Sequence, residues 1–167
     1  MPYVDRDLDG AITGEYRASQ RPDHEWVDEA APEWRARELA SLKVLRRLEV
    51  DTMRDRRAAR GVAVTLSGGR SFTVQTRDAD DKLNLLGMGT LIELLVAQAG
   101  PSATIGFRDA ANAVRPLTQA DVLALLAQVG AAQQALIAAG WDHKDAIEAL
   151  TTIETVAAYD IGAGWPA

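Results

Sequence analysis

The sequence predicts an α+β protein: an N-terminal β-hairpin, a long linker helix, then a small antiparallel sheet of two hairpins packed with three helices. Two observations carry the prediction. The hydrophobic period changes from helical to alternating at Gly61, and glycine-rich turn signals split the alternating runs while long leucine- and valine-rich runs lie between and after them. The 167 residues are 47% apolar and 25% charged, enough apolar material for a core and too much for a disordered chain. Charge divides the chain in three: net −5 over 1–32, +4 over 33–60 and −5 over 61–167. These ranges are the expected organisation: a hairpin with an acidic loop, a basic amphipathic helix, and a C-terminal α+β domain.

The first element contains DRDLDGAITGEY, whose Asp5, Asp7, Asp9 and Gly10 match the opening of a calcium-binding loop. The twelfth position is Tyr16, which cannot chelate in bidentate fashion, and only four residues, one of them Pro2, precede Asp5. A hairpin turning at Asp9-Gly10 accounts for the same letters, because both central positions of such a turn favour positive φ. No metal is therefore expected. The proline- and acid-rich run that follows, to Pro32, lacks either period and reads as an extended loop.

Pro32 suits the first turn of a helix that meets no breaker until Gly61. Leu39, Leu42, Leu45, Leu48 and Met53 form a drifting stripe, suited to a packed helix or to a short coiled coil between copies. Val62–Leu66 and Ser71–Thr76 then pair across Ser-Gly-Gly. Asp78 or Thr76 can cap the next helix, on which Leu83, Leu86, Leu91, Leu94 and Leu95 line one side and Gly87 and Gly89 permit a close crossing or mark a kink. A second hairpin turns at Ala-Ala-Asn. Thr118 and Asp121 approximate a capping box for a helix that Gly140 should stop, and Asp142 should cap a last helix carrying Ile147, Leu150, Ile153 and Ala157.

Several chemistries lack their residues. With no cysteine and two histidines, thiolate sites are impossible and imidazole clusters poor. His143, between Asp142 and Lys144, has no nucleophile motif to serve, and Asp80 and Asp81 read as charge complementing a helix dipole, so no enzyme activity and no cofactor is expected. Arg54, Arg56, Arg57 and Arg60 could meet phosphates, but they also suit a helix C-terminus and lie between acidic segments, so no nucleic acid is expected. An acidic N-terminus and the lack of an uninterrupted membrane-length apolar run predict a soluble, cytoplasmic protein away from membranes.

MPYVDRDLDGAI, GRSFTVQTRDADDKL, GFRDAANAVRPLT and YDIGAGWP, in that order, resemble phage and prophage proteins encoded beside tail-fibre genes, described as tail fibre assembly or chaperone-like proteins. The resemblance is best over 61–166. It implies a non-enzymatic assembly or accessory role through contacts with a tail fibre or other tail protein, in the cytoplasm of an infected host or retained in the virion tail, with homo-oligomers possible through helix 33–60. A virion structural component, or a small ligand- or cation-binding module built on Asp5, Asp7 and Asp9, are the alternatives. Aromatic residues around a thin core suit interfaces, so Tyr3, Tyr16, Trp26 and Trp34 are candidate partner contacts, with Arg108 beside Asp109 and Asn112. Turn shaping by Asp109 and Asn112, with Arg108 pairing locally, is the competing reading. Trp165 is expected to pin the C-terminal tail to its own domain.

Overall fold

The computed structural model describes residues 3–7, 10, 12–16, 25–26 and 31–166, with the backbone alone for Tyr3, Tyr16, Glu25 and Trp26. It is an α+β arrangement of small antiparallel sheets and helices. Strands β1 (Tyr3–Arg6), β2 (Ile12–Tyr16) and β3 (Glu25–Trp26) form a sheet of order β2-β1-β3. The N-terminal hairpin is present, but its last pair is Arg6↔Ile12, and the Gly10 amide donates to the Asp7 carbonyl at 3.0 Å. Its connection is thus longer than a two-residue Asp9-Gly10 turn; Asp9 lies outside the described residues. The stretch expected to be loop supplies β3, whose Trp26 pairs with Tyr3.

Helix α1 (Pro32–Ala58) follows as its unbroken run of helix formers predicts. Gly61 ends the turn after it at φ +84°, where an added Cβ would lie 2.6 Å from the Val74 carbonyl oxygen, so glycine alone fits. The buried Thr76 hydroxyl donates to the Ala58 carbonyl at 2.7 Å, satisfying an acceptor of the last helical turn. Strands β4 (Val62–Thr65) and β5 (Ser71–Val74) pair in register Val62↔Val74 to Thr65↔Ser71.

Helix α2 (Ala79–Ala99) starts at Asp78, whose carboxylate accepts from the Asp81 amide at 2.9 Å. Strands β6 (Thr104–Arg108) and β7 (Val114–Thr118) form the second hairpin. The two hairpins are separate two-stranded ladders joined by one bond, Ala110 N–H to the Thr73 carbonyl at 2.9 Å.

Helix α3 (Gln119–Ala149) opens with the reciprocal box. Asp121 accepts from the Thr118 amide at 3.1 Å while its own amide reaches the Thr118 hydroxyl at 3.3 Å, and its second oxygen pairs with Arg70. Gly140 does not stop this helix, and Asp142 caps nothing. Gly140 is buried instead, with Trp165 and Val50 in ordinary contact distance of where a Cβ would stand, so tertiary packing overrides its low propensity. Ile147 therefore belongs to α3, and a separate short helix α4 (Ile153–Ala158) is capped by Thr152. Between Asp121 and Asp142 the chain carries no charge, and α3 is long and apolar enough by composition to cross a membrane. It is not an uninterrupted apolar run, because Gln128, Gln133 and Gln134 break it.

Contacts divide the chain into a first unit, 1–49 with 143–160, and a second, 50–142 with 161–167. This division falls within α1 and α3, whereas the period change at Gly61 marks a change of element. The second unit holds a continuous core: Val64, Leu66 and Val74 from the first hairpin of that unit, Leu117 from β7, Leu85, Met88 and Ile92 from α2, and Val122, Leu125 and Val129 from α3. In the first unit Val4, Ile147 and Val156 are buried.

Candidate functional site

Helix α2 is apolar on two opposite sides. Leu85, Met88 and Ile92 enter the core, with Leu95 packed against it. Of the leucines expected to line one side, Leu95 packs on the core, while Leu83, Leu86, Leu91 and Leu94 are turned outward and 45–67% exposed. Periodicity puts leucines on both arcs, and the inner arc wins because it includes Ile92 and Met88, which close over the hairpins. A helix with apolar residues all round is usually buried all round. Here the outer arc has no cover among the described residues.

The two glycines differ in the same sense. A Cβ at Gly89 would lie 3.0 Å from Leu126 Cδ1 of α3, so Gly89 permits a close approach, whereas a Cβ at Gly87 would meet nothing. Gly87 lies on the open side, between Leu83 and Leu91. Beside it α2 and β6 enclose a groove of about 620 Å³, lined by Leu83, Gly87 and Leu91 on the helix and by Ile105 to Arg108 on the strand.

Arg108 stands at the strand end of this groove. Its Nη1 donates to Asn112 Oδ1 at 2.9 Å, and Asn112 adopts φ +63°, the left-handed conformation that asparagine tolerates better than most residues. Asp109, buried beneath the turn, accepts from the Ala113 amide at 2.9 Å and pairs with Arg115 at 2.9 Å. The Ala113 amide, then the Arg115 guanidinium, hold its carboxyl below the ordinary carboxylate range. Both Asp109 and Asn112 therefore shape the turn. Arg108 contacts Asn112 and has no carboxylate partner among the described residues.

The remaining sequence candidates lie in the first unit. The strand register sets Tyr16, Tyr3 and Trp26 on one cross-strand row. Trp34, half-buried in the first turn of α1, lines a cleft of about 1070 Å³ with Leu39, Thr152 and Ile153 and, on its other side, a smaller one with Glu15 and Arg37. Asp5 lies within β1 opposite Gly14, and Asp7 sits at the turn. Among the described residues no three carboxylate, imidazole or thiol side chains gather where they could hold a metal ion.

Other singled-out residues find local partners. His143 lies inside α3 rather than at a helix start; it is buried, and its Nδ1 is 2.8 Å from the Tyr159 hydroxyl. Of the basic cluster, Arg54 pairs with Asp51 and Asp55 at 2.9 Å each, and Arg57 lies over the Trp165 ring at 5.6 Å. Trp165 also donates to the Ile161 carbonyl at 2.6 Å. The sequence names the outer leucines as one side of the helix but shows neither their exposure nor the groove; the signal available was a helix with leucines at too many angles for one face.

Residues 41–163 match a family model described as a domain of unknown function, DUF4376. The chain belongs to the DUF4376 family. Its match begins within α1 and ends beyond α4, so it takes in every helix and hairpin around the groove. Comparison with curated proteins and with solved structures gives no match.

Proposed function

We propose that this DUF4376 protein is a phage or prophage tail-fibre assembly or accessory protein that works by protein contacts, without catalysis, on the fibre or another tail protein. The observation that carries the contact reading is the outward row Leu83, Leu86, Leu91 and Leu94. Four clustered leucines at such exposure form an apolar patch, and a contiguous exposed apolar patch on a surface is often an interaction site. The tail-fibre part rests on the resemblance of the quoted segments. In this reading the host cytoplasm is where contact is made, and Arg108 and the aromatic residues Tyr3, Tyr16, Trp26 and Trp34 add partner contacts. Val44 and Leu45, 56% and 57% exposed on α1, support the accompanying idea of self-association through that helix.

Co-expression with the neighbouring fibre-like gene tests the proposal. The wild-type chain should co-purify with the fibre and raise its soluble yield. Leu86→Asp, at a side chain that contributes nothing to the core, should reduce both while leaving the melting temperature unchanged. A fibre that is equally soluble without the chain and never co-purifies with it overturns the proposal.

A further inference from the structure

The second unit has four outer strand edges, and three of them are partly covered or blunted. Hydrogen-bonded and non-bonded pairs alternate along an antiparallel ladder, so one bonded pair sets the phase of the rest. In the first hairpin of this unit the Leu66 amide bonds the Arg70 carbonyl at 2.9 Å, which turns the backbone groups of Ala63, Thr65, Ser71 and Thr73 outward. Each edge is covered at its threonine. The Gln128 carboxamide bonds the Thr65 N–H and C=O at 2.9 and 3.0 Å, as a neighbouring strand would, and the Ala110 amide takes the Thr73 carbonyl.

In the second hairpin the Asp109 amide bonds the Ala113 carbonyl at 3.0 Å. The bonded pairs are then Phe107↔Arg115 and Ile105↔Leu117, and Gly106↔Pro116 is a non-bonded pair. Pro116 therefore removes an N–H from the outer edge of β7, a device that blunts an edge against pairing. The opposite edge of β6 presents the N–H and C=O groups of Thr104, Gly106 and Arg108. None of these has a backbone or side-chain partner on that side among the described residues. This edge lies along the groove whose far wall is the exposed side of α2.

We infer that β6 accepts an extended peptide segment of a partner protein as an added strand, with apolar side chains against Leu83 and Leu91 and an acidic side chain where it passes Arg108. Strand addition uses main-chain bonds for affinity and alternate side-chain pockets for selectivity, and the groove offers both. Charge selects the acidic residue. Asp81, on the helix wall, is already paired with Arg77 at 3.1 Å, which leaves Arg108 as the charge facing a ligand. This inference rests on the protein-contact reading, but does not require that the partner be a fibre.

Blocked peptides alternating valine with aspartate, serine or lysine serve as probes against the full chain, followed by amide shifts of 104–108. The aspartate peptide should shift these amides and bind at least about tenfold more tightly than the lysine peptide, a gap that shrinks as salt screens Arg108. N-methylation on the pairing edge of the peptide should abolish binding, and on its other edge should not. Gly106→Pro deletes the outward N–H without removing a bond of the β6–β7 ladder and should lose binding about tenfold or more, whereas Gly106→Ala, whose Cβ would meet Val114 at 3.6 Å, should keep it.

Absence of shifts at millimolar peptide overturns the inference, as does binding indifferent to N-methylation or to Gly106→Pro in a variant that still melts cooperatively. A wild-type dimer that Gly106→Pro dissociates, with no peptide shifts, assigns the edge to a second copy and overturns it too. Fibre co-purification is scored separately: Gly106→Pro that loses the peptide but keeps the fibre upholds strand addition and moves fibre contact elsewhere.

Discussion

The two units are held together in different ways. In the second, the hairpins, α2 and α3 share one apolar core, and its two buried carboxylates pair at a turn and a helix start: Asp109 under the β6–β7 turn and Asp121 at the start of α3. In the first, the described residues bury few apolar side chains, and polar bonds run along the length of α1. Arg6 meets Glu33 at 2.6 Å, Arg37 meets Glu15, Lys43 meets Glu148, Arg46 reaches the Tyr159 carbonyl, and buried His143 meets the Tyr159 hydroxyl. Apolar burial resists salt and is sensitive to lost volume, whereas exposed ion pairs are screened and contribute about 0–1 kcal/mol each. Core substitutions should therefore separate the units most sharply.

The largest effect belongs to Leu125→Ala. Leu125 is fully buried in the core that α3 shares with the hairpins and α2, so its truncation should cost about 2–5 kcal/mol, toward the upper end. Ile147→Ala in the first unit should fall toward the lower end, since fewer buried neighbours surround the gap. Urea midpoints at unchanged m-value measure both. Equal losses would break the contrast.

Next is an acid limb carried by Asp121. Its bond to Arg70, then the Thr118 amide and hydroxyl, hold its carboxyl at about 2, against 3.8 ordinarily. The folded-state value is the lower one, so the stabilisation is complete above the ordinary carboxylate range and is lost as pH falls from about 4 through about 2. Asp121→Asn should be less stable than wild type near neutrality and should show a shallower fall of stability on acidification. An unchanged acid limb in chemical denaturation between those pH values would remove Asp121 from the account.

The glycines of α2 give a smaller effect and test its two sides. Gly87→Ala meets nothing and should raise stability by about 0.5–1 kcal/mol through helix propensity. Gly89→Ala must displace the Leu126 methyl at 3.0 Å, which offsets that gain. If Gly87→Ala is the less stable of the two, the outer side of α2 is covered in solution.

How far the sequence could be read follows the same division between local and tertiary causes. Features written in neighbouring residues were legible: the α+β class, both hairpins of the second unit, the Asp78 cap and the Thr118–Asp121 box. Gly140 misled because local propensity says stop, while burial against Trp165 and Val50 says continue. Strand β3 escaped because two residues become a strand only when β1 pairs with them. The groove escaped for a similar reason, since its walls belong to segments about twenty residues apart and the leucines of α2 do not announce which arc the hairpins will cover. Arg108 was singled out as a candidate partner contact, with local pairing as the competing reading; its bond to Asn112 is local, and its place beside Leu83 and Leu91 needed the fold.

The smallest expected effect concerns Glu148, and it tests whether the many polar bonds of the first unit are individually weak. Glu148 is 62% exposed at its side chain and lies 3.6 Å from Lys43 and 3.9 Å from Arg47, distances at the long end for an ion pair. Lys43 does not depend on that carboxylate, because its Nζ also donates to the Glu148 backbone carbonyl at 2.6 Å, a bond that a side-chain substitution leaves in place. Water can replace the carboxylate at little cost. Glu148→Gln should therefore change stability by less than about 0.5 kcal/mol, and the difference should vanish at high salt. A loss above about 1 kcal/mol that persists in molar salt would mean that the pair acts within a network shielded from solvent, and the first unit would then owe more to its charges than exposure allows.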